Sequence, residues 1–146
     1  MSHNLYMRAQ ELYTETTDAI TRHYRHKRHQ IAAGIATASG RKTFGLHIEA
    51  MVGRASSCAE TAALAQTLIL DAEDPVELVV AVRHPAPDEE HMACRIVPPC
   101  GLCRELLSDY APGALVILPN GADFDLRTLT DLLPAKYVGT KWNKLG

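Results

Sequence analysis

Apolar residues recur at helical spacing near the beginning of the chain and form short unbroken runs further along it. Positions 5, 12, 19 and 20 are apolar and fall on one side of a helix, so residues 5–20 are predicted to form an amphipathic helix. Two further segments, 31–38 and 42–50, lie on either side of Ser39 and Gly40, a turn signal. Together these segments predict a β-hairpin.

The second half of the chain alternates helical and extended patterns. Helices are predicted over 58–70, 101–110 and 126–133, and strands over 76–82 and 114–118. Ser57 and Glu60 match a capping box at the first of these helices. The loop 84–99 is rich in Pro, Asp and Glu, with a short strand predicted near 94–97. Because strands that alternate with helices pair through right-handed crossovers, we expect an α/β fold, a three-layer α/β/α sandwich.

The composition fits a single domain over residues 1–146, since 47% of the residues are hydrophobic and can form a core. The net charge of −2 gives no sign of a nucleic-acid or membrane partner. One basic run, residues 22–28, fits either a phosphate-binding patch or a solvated helix end. No apolar span is long enough for a bilayer and the first residues carry no secretory pattern, so we expect a cytoplasmic protein.

Three of the four cysteines stand at two predicted helix starts. Cys58 opens one helix, and Cys100 and Cys103 open another with a spacing that places both sulfurs on one face. The positive end of a helix favours the thiolates that a metal needs. Zinc held by three protein ligands keeps a fourth position for water, as in catalytic sites. A site closed by a fourth ligand, Cys94, would instead be structural.

Glu60 stands two residues after Cys58, in the first turn of the predicted helix. A carboxylate there could carry protons to and from a water that zinc activates. As a partner in a capping box alone, Glu60 would have only a structural role. A redox pair formed by Cys100 and Cys103 would leave Cys58 and Glu60 without a function. The pattern therefore predicts hydrolytic chemistry at one zinc ion per chain, with a zinc-stabilised binding module as the alternative.

Residues 58–60, Cys-Ala-Glu, and 99–103, Pro-Cys-Gly-Leu-Cys, resemble the signature of the zinc deaminases in the cytidine deaminase superfamily. Residues 45–49, Gly-Leu-His-Ile-Glu, are similar to the Gly-x-Asn-x-Glu segment of small cytidine deaminases, and 132–134, Leu-Leu-Pro, to their closing segment. Sites with three cysteines are typical of the small homotetrameric branch, which includes cytidine deaminases and blasticidin-S deaminases.

The resemblance implies an enzyme that converts the amino group of a small free aminopyrimidine nucleoside, such as cytidine or deoxycytidine, into a carbonyl and releases ammonia. It also implies a mixed sheet of about five strands and a homotetramer. The net charge, and not the resemblance, is the reason to expect no nucleic-acid and no membrane partner. Zinc would be held by Cys58, Cys100 and Cys103, and protons moved by Glu60. The implied substrate contacts are His47, Glu49, Ala59 and His29. Phe44 is a further candidate for stacking on the base, with an ordinary core position in a strand as the alternative that the pattern favours.

Three positions depart from the family's pattern. His47 replaces a ribose-binding Asn, and His29 stands where an aromatic residue usually stacks on the base, with Phe44 as a possible substitute. Thr61 stands where three-cysteine relatives often carry an Arg bonded to the sulfurs, a role that Arg54 or Arg104 could take. A modified nucleoside, a nucleoside antibiotic or another aminated heterocycle is therefore the alternative substrate. A deaminase of polynucleotides is the alternative within the superfamily.

Overall fold

The computed structural model describes residues 2–142. Helices and strands alternate along this range, with one short 3₁₀ turn at Gly53–Ala55 before the second helix. The elements in chain order are α1 His3–His23, β1 Ile31–Thr37, β2 Lys42–Leu46, α2 Ala59–Leu70, β3 Val76–Arg83, β4 Arg95–Ile96, α3 Gly101–Tyr110, β5 Leu115–Asn120, β6 Asp123–Thr128 and α4 Leu129–Leu132. None of the helices in this range is both long and apolar enough to cross a membrane.

The strands form one mixed sheet in the order β2-β1-β3-β5-β6, with β4 paired to β3 beside that path. The neighbours β1 and β2, β1 and β3, and β5 and β6 run antiparallel, whereas β3 and β5 run parallel. The short strand β4 pairs antiparallel with the end of β3, at Val82 and Arg83. The predicted mixed α/β sheet is thus confirmed, with six strands in the described residues.

Helices cover both faces of this sheet, as expected for three layers. On one face, α1 packs on the sheet through a core that includes Leu12, Ile20, Leu78, Val80 and Ile117. On the other face, α2, α3 and α4 pack on a second core that includes Ile35, Leu64, Val79, Leu107 and Leu129. Alternate residues of β3 enter opposite cores because successive side chains of a strand point to opposite faces.

Two glycines allow helices to approach the sheet closely. A Cβ atom at Gly34 of β1 would lie 2.1 Å from Thr16 Oγ1 of α1. A Cβ atom at Gly45 of β2 would lie 2.4 Å from both the Ala59 carbonyl oxygen and the Ala63 nitrogen. The second contact is with the backbone of α2, so Gly45 sets the position of the first turn of that helix.

The C-terminal part of the sheet differs from the prediction. Residues 126–133 were expected to form a helix, but β6 extends to Thr128 and only the short α4 follows. In β6 the buried Phe124 and half-buried Leu126 alternate with polar residues, which is strand periodicity. The turn between the two strands lies at Gly121, whose φ is +60°. Pro119 belongs to β5, beyond the predicted end of that strand at residue 118, and pairs with Phe124 of β6.

The predicted capping box at α2 is also wrong. Cys58 is the N-cap residue, and its side chain makes no capping hydrogen bond. The Ser57 backbone instead exchanges hydrogen bonds with Ile48, which joins the segment before α2 to the segment after β2. The first turn of α2 is therefore held by backbone hydrogen bonds to the segment that follows β2. The Glu60 side chain does not take part in a capping box with Ser57.

Candidate active site

Three thiols converge where α2 and α3 begin. Cys58 is the N-cap residue of α2, Cys100 is the N-cap residue of α3, and Cys103 lies in the first turn of α3. Their sulfur atoms all lie within 4.8 Å of one another, and the sulfurs of Cys58 and Cys100 are 3.5 Å apart. Tetrahedral zinc with Zn–S bonds of about 2.3 Å requires sulfurs about 3.8 Å apart. The three thiols therefore fit zinc in both spacing and donor chemistry.

The ionisation of the thiols reflects their packing. Burial raises the pKa of Cys103, and the nearby Glu60 carboxylate raises it further. Burial also raises the pKa of Cys58, together with its hydrogen bond to Cys100. Burial acts against the thiolate at Cys100 as well, but the Cys103 backbone amide and the Cys58 thiol lower the pKa of Cys100 below its usual value. Of the three, Cys100 is thus the most readily ionised, and the other two need a cation to become thiolate ligands.

Glu60 lies in the first turn of α2 beside this cluster. Glu60 is only 5% exposed, and this burial raises the pKa of its carboxyl group. Hydrogen bonds from its own backbone amide and from the Cys103 thiol lower the pKa and offset part of this effect. A buried carboxyl group next to a metal-ligand set can accept and return a proton close to a reacting water.

A small cavity opens on Cys58, Cys100 and Glu60, and the buried Cys103 lies outside its lining. Its volume is about 110 Å³, and it is lined by Ile31, His47, Cys58, Ala59, Glu60, Ala81, Val97, Pro98 and Cys100. The apolar lining comes from the ends of strands, and Ile31, Ala81 and Val97 were not identified from the sequence. In the sequence these three residues only belong to apolar segments predicted as strands. That pattern does not show which end of each strand lies beside the N-terminal ends of α2 and α3.

His47 and Glu49 form a polar rim at this cavity. His47 Nε2 donates to Glu49 Oε2 at 3.0 Å, and Ser56 Oγ donates to Glu49 Oε1 at 3.1 Å. His47 Nδ1 is buried and has no hydrogen-bond partner among residues 2–142. A buried polar atom without a partner is costly, so a hydrogen bond accepted by this nitrogen would be stabilising. His29 does not line the cavity but donates from Nδ1 to the His47 carbonyl at 2.9 Å.

Phe44 does not belong to the site, contrary to the expectation from the sequence. It packs against the core under α1, whereas Gly45 and Thr43 face α2. Because neighbouring residues of β2 point to opposite faces, a side chain at position 44 cannot reach the thiols. Cys94 is likewise outside the cluster, with its sulfur 3.8 Å from Thr21 Oγ1 of α1.

Arg104 supports the site through the backbone and not through the sulfurs. Its Nε donates to the Pro99 carbonyl at 2.9 Å, and its Nη1 donates to the Leu132 carbonyl at 3.1 Å. The guanidinium group therefore ties the residue before Cys100 to α4. Thr61 and Arg54 are exposed and make no side-chain hydrogen bond among the residues described.

Known proteins are similar to this chain in both sequence and fold. No protein-family model matches the chain. Blasticidin-S deaminase from Bacillus cereus is 38% identical over 128 residues, 88% of this chain and 91% of that protein. Cytidine deaminase from Halalkalibacterium halodurans is 25% identical over 120 residues, 81% of this chain and 84% of that protein.

A solved structure extends the likeness to three dimensions. The cytidine deaminase from Bacillus anthracis superimposes with a TM-score of 0.73 at 21% identity, covering 93% of this chain and 92% of that one. The fold is therefore that of the cytidine deaminases, and the identity to the Bacillus cereus protein extends over nearly the whole chain. The chain belongs to the cytidine deaminase superfamily and is a hydrolase acting on C–N bonds.

Proposed function

We propose that the protein is a zinc-dependent deaminase of small free aminopyrimidine nucleosides, with cytidine or deoxycytidine and blasticidin-S-like antibiotics as the two substrate candidates. The observation that carries the proposal is the meeting of three thiols with the buried carboxyl group of Glu60 at one cavity. Cys58, Cys100 and Cys103 would hold one zinc ion per chain. A zinc site closed by four cysteines is not favoured, because Cys94 lies against α1.

Zinc bound to three protein ligands lowers the pKa of a water molecule to about 7 and so makes it a nucleophile at neutral pH. The chain's own contribution is proton transfer by Glu60. Its carboxylate accepts a proton as the water oxygen bonds to the ring carbon that carries the amino group. Glu60 passes this proton to the ring nitrogen and then accepts a second proton from the hydroxyl group now on the ring carbon. It delivers the second proton to the amine, the C–N bond breaks, ammonia leaves, and the hydroxyl oxygen becomes the carbonyl oxygen.

The cavity and its rim support a substrate that is only partly enclosed. A volume of about 110 Å³ is well below the roughly 300 Å³ or more of pockets that enclose a whole small ligand. We infer that the aminopyrimidine ring enters between Ala59 and Val97 while the sugar stays at the rim. His47 and Glu49 would contact sugar hydroxyls there, and His29 would support His47 rather than stack on the base.

Each of the two substrate candidates is supported by the similarity of this chain to a different relative. The Bacillus cereus relative, named for blasticidin S, has the higher identity at 38%, and this favours a nucleoside antibiotic. The relative named for cytidine is 25% identical. His47 at the rim is the residue of this chain most directly placed to discriminate between the sugars of the two compounds.

We also propose a homotetramer acting in the cytoplasm, where thiols remain reduced. Large apolar side chains near the helix starts are exposed, among them Ile48, Met51, Val52 and Leu102. Such a patch is typical of an interface between subunits. Light scattering of the purified protein at micromolar concentration should give four times the chain mass, and a monomer would contradict this part of the proposal.

Ammonia release from the zinc-loaded protein tests the function. The compounds to compare are cytidine, deoxycytidine, blasticidin S, cytosine, adenosine and guanine. We expect activity on cytidine-type nucleosides or on blasticidin S, and about one zinc per chain. Glu60→Gln should keep the zinc and lose activity by about 10³-fold or more, since it removes the proton carrier.

The matched control is Glu77→Gln. Glu77 pairs with Arg8 under α1 and is remote from the thiols, so its loss should leave kcat nearly unchanged. Full activity of zinc-loaded Glu60→Gln would refute the proposed role of Glu60. Absence of zinc from the wild-type protein after loading would refute the metal site.

A further inference from the structure

Residues 22–29, here called the basic turn, form a concentrated positive patch that the proposed chemistry does not use. The turn contains Arg22, Arg25, Lys27 and Arg28 together with three histidines, and all four cationic residues are exposed. None of the four forms an ion pair with a residue of the described chain. Because the whole chain carries −2, removing these four charges leaves −6 for the rest. The basic turn is therefore a positively charged segment in a protein whose other residues have a net negative charge.

The backbone of the basic turn is held in one conformation. Arg25 and His29 exchange two backbone hydrogen bonds, of 3.1 and 2.9 Å, and the Arg28 nitrogen donates to the Arg25 carbonyl at 2.9 Å. Lys27 has a φ of +63°, a left-handed conformation that a non-glycine residue adopts only where its surroundings impose it. Tyr24 stacks on His84 with ring centroids 3.9 Å apart, which fixes the beginning of the turn. The cations are thus presented by an ordered scaffold.

Hydrogen bonds join the basic turn to the rim of the cavity. The Arg28 carbonyl accepts from the Glu49 nitrogen at 3.0 Å, and His29 Nδ1 donates to the His47 carbonyl at 2.9 Å. His47 itself lines the cavity. The turn and the substrate rim are therefore joined directly, by hydrogen bonds between residues 28–29 and residues 47–49.

The cavity is too small for a whole nucleoside, so the part of a substrate attached to the ring would lie outside it, near the basic turn. A volume of about 110 Å³ leaves the group attached to the ring outside, over His47 and Glu49. Glu49, whose oxygens accept hydrogen bonds from His47 and Ser56, would repel an anion placed over it, so an anionic group would have to extend past Glu49 to the basic turn. The Glu49 nitrogen donates to the Arg28 carbonyl, so the basic turn begins one backbone hydrogen bond away from Glu49.

We propose that the basic turn is a subsite for an anionic group, a phosphate or a carboxylate, attached to the sugar side of the substrate. The inference rests on the proposed deaminase function and specifies its substrate class. Arginine donates paired hydrogen bonds to both kinds of anion, and a cluster of unpaired cations raises the local concentration of an anionic ligand. The source of the anion, a nucleotide phosphate or an acidic sugar, is decided by experiment.

The test compares cytidine, cytidine 5′-monophosphate and cytidine oxidised to the 5′-carboxylate as substrates of the zinc-loaded enzyme at low and high salt. We expect kcat/KM for at least one anionic compound to exceed that for cytidine by about tenfold at low salt and to fall as salt screens the charges. A preference for one anionic compound identifies the source of the charge. Equal values for all three would overturn the subsite.

The variant Arg25→Gln/Lys27→Gln/Arg28→Gln should abolish the anionic preference while changing kcat/KM for cytidine less than about twofold. Arg127→Gln, at an exposed cation on β6, is the control for loss of a positive charge elsewhere and should keep the preference. Circular dichroism checks that the exposed substitutions leave the fold intact. An unchanged preference in the triple variant would overturn the proposal.

A binding measurement separates failure of this inference from failure of the proposed function. Calorimetry with zinc-loaded Glu60→Gln protein compares the affinities for cytidine and its two anionic derivatives without turnover. If no compound is deaminated but an anionic one binds more tightly through the basic turn, the subsite stands and the reaction is wrong. If cytidine is deaminated and all three bind alike, the reaction stands and the subsite is wrong. Binding of an RNA oligonucleotide through the turn with no gain for the monophosphate would also overturn it.

Discussion

The two faces of the sheet are built differently. The face under α1 is covered by one helix of 21 residues whose buried residues are apolar except for Thr16, and the Thr16 hydroxyl bonds to the Leu12 carbonyl of the same helix. The opposite face is covered by the shorter helices α2 and α3, each of which has a cysteine as its N-cap residue. It also contains the buried carboxyl group of Glu60.

The difference shows where a fold of this kind can place reactive groups. A helix start leaves backbone N–H groups without partners and carries partial positive charge, both of which stabilise thiolates. The shorter helices α2 and α3 place two such N-terminal ends next to each other. The long helix α1 instead packs its middle turns against the opposite face of the sheet. We propose that α1 mainly contributes stability and that α2 and α3 carry the groups that react.

The largest expected contrast is between two cysteines on opposite faces. Cys103→Ser should weaken zinc binding by more than about a hundredfold and abolish deamination, since it removes a proposed ligand. Cys94→Ser, beside α1, should keep zinc and activity and change stability by about 1 kcal/mol or less. Zinc content by atomic absorption and ammonia release measure both. Equal loss of zinc in the two variants would break the comparison of the faces.

A second contrast uses two glycines. Gly45→Ala should cost roughly 1–3 kcal/mol and also lower activity, because the new methyl group meets the backbone of α2 and displaces the turn that carries Glu60. Gly34→Ala meets side-chain atoms of Thr16 and Leu12, so it should lower the free energy of unfolding without changing kcat. Urea unfolding and kcat per folded molecule separate the two effects. An unaltered kcat in Gly45→Ala would show that the site tolerates movement of α2.

Two arginines provide a third and smaller contrast. Arg104→Lys should lower zinc affinity by about tenfold, because lysine cannot hold the Pro99 and Leu132 carbonyls together. Arg8→Lys disturbs the pair with Glu77 under α1 and should leave zinc affinity unchanged. Competition with a zinc chelator measures the affinity in each variant. A similar zinc affinity in both would mean that Arg104 does not position Cys100.

The smallest effect concerns acid stability and belongs to neither helical layer. Glu89 accepts two hydrogen bonds from Arg83, which holds the pKa of its carboxyl at about 2, against an ordinary value of 4.5. Its stabilising contribution is therefore present above about pH 4.5 and is lost as the pH falls toward 2. Glu89→Gln should be less stable than the wild type at pH 7, with the difference shrinking by pH 3. Urea midpoints at several pH values measure this, and a constant difference would contradict the assignment.

Much of the site could be predicted because its groups are close in sequence to helix starts. Cys100 and Cys103 are three residues apart, so helix geometry places both sulfurs on one face. Cys58 and Glu60 are two residues apart and both lie at the start of one helix. The side of the sheet to which Phe44 points could not be found in this way. It depends on the register of β2 with β1, and a shift of one residue would reverse it.

The final hairpin and the basic turn illustrate the same limit. Residues 123–128 have apolar positions compatible with a strand or a short helix, and pairing with β5 selects the strand. The charges of residues 22–29 are plain in the sequence, but their position beside His47 follows from hydrogen bonds to residues about twenty positions away.

By itself, the amino-acid sequence determined the layered α/β architecture and the reactive groups, because period and spacing are local properties that the backbone geometry of helices and strands converts into faces. Only the tertiary structure decided that the three thiols meet, that Ile31, Ala81 and Val97 close a cavity over them, and that a basic turn borders its rim. These are contacts between segments far apart in the chain, and packing of the helices on the paired strands selects them.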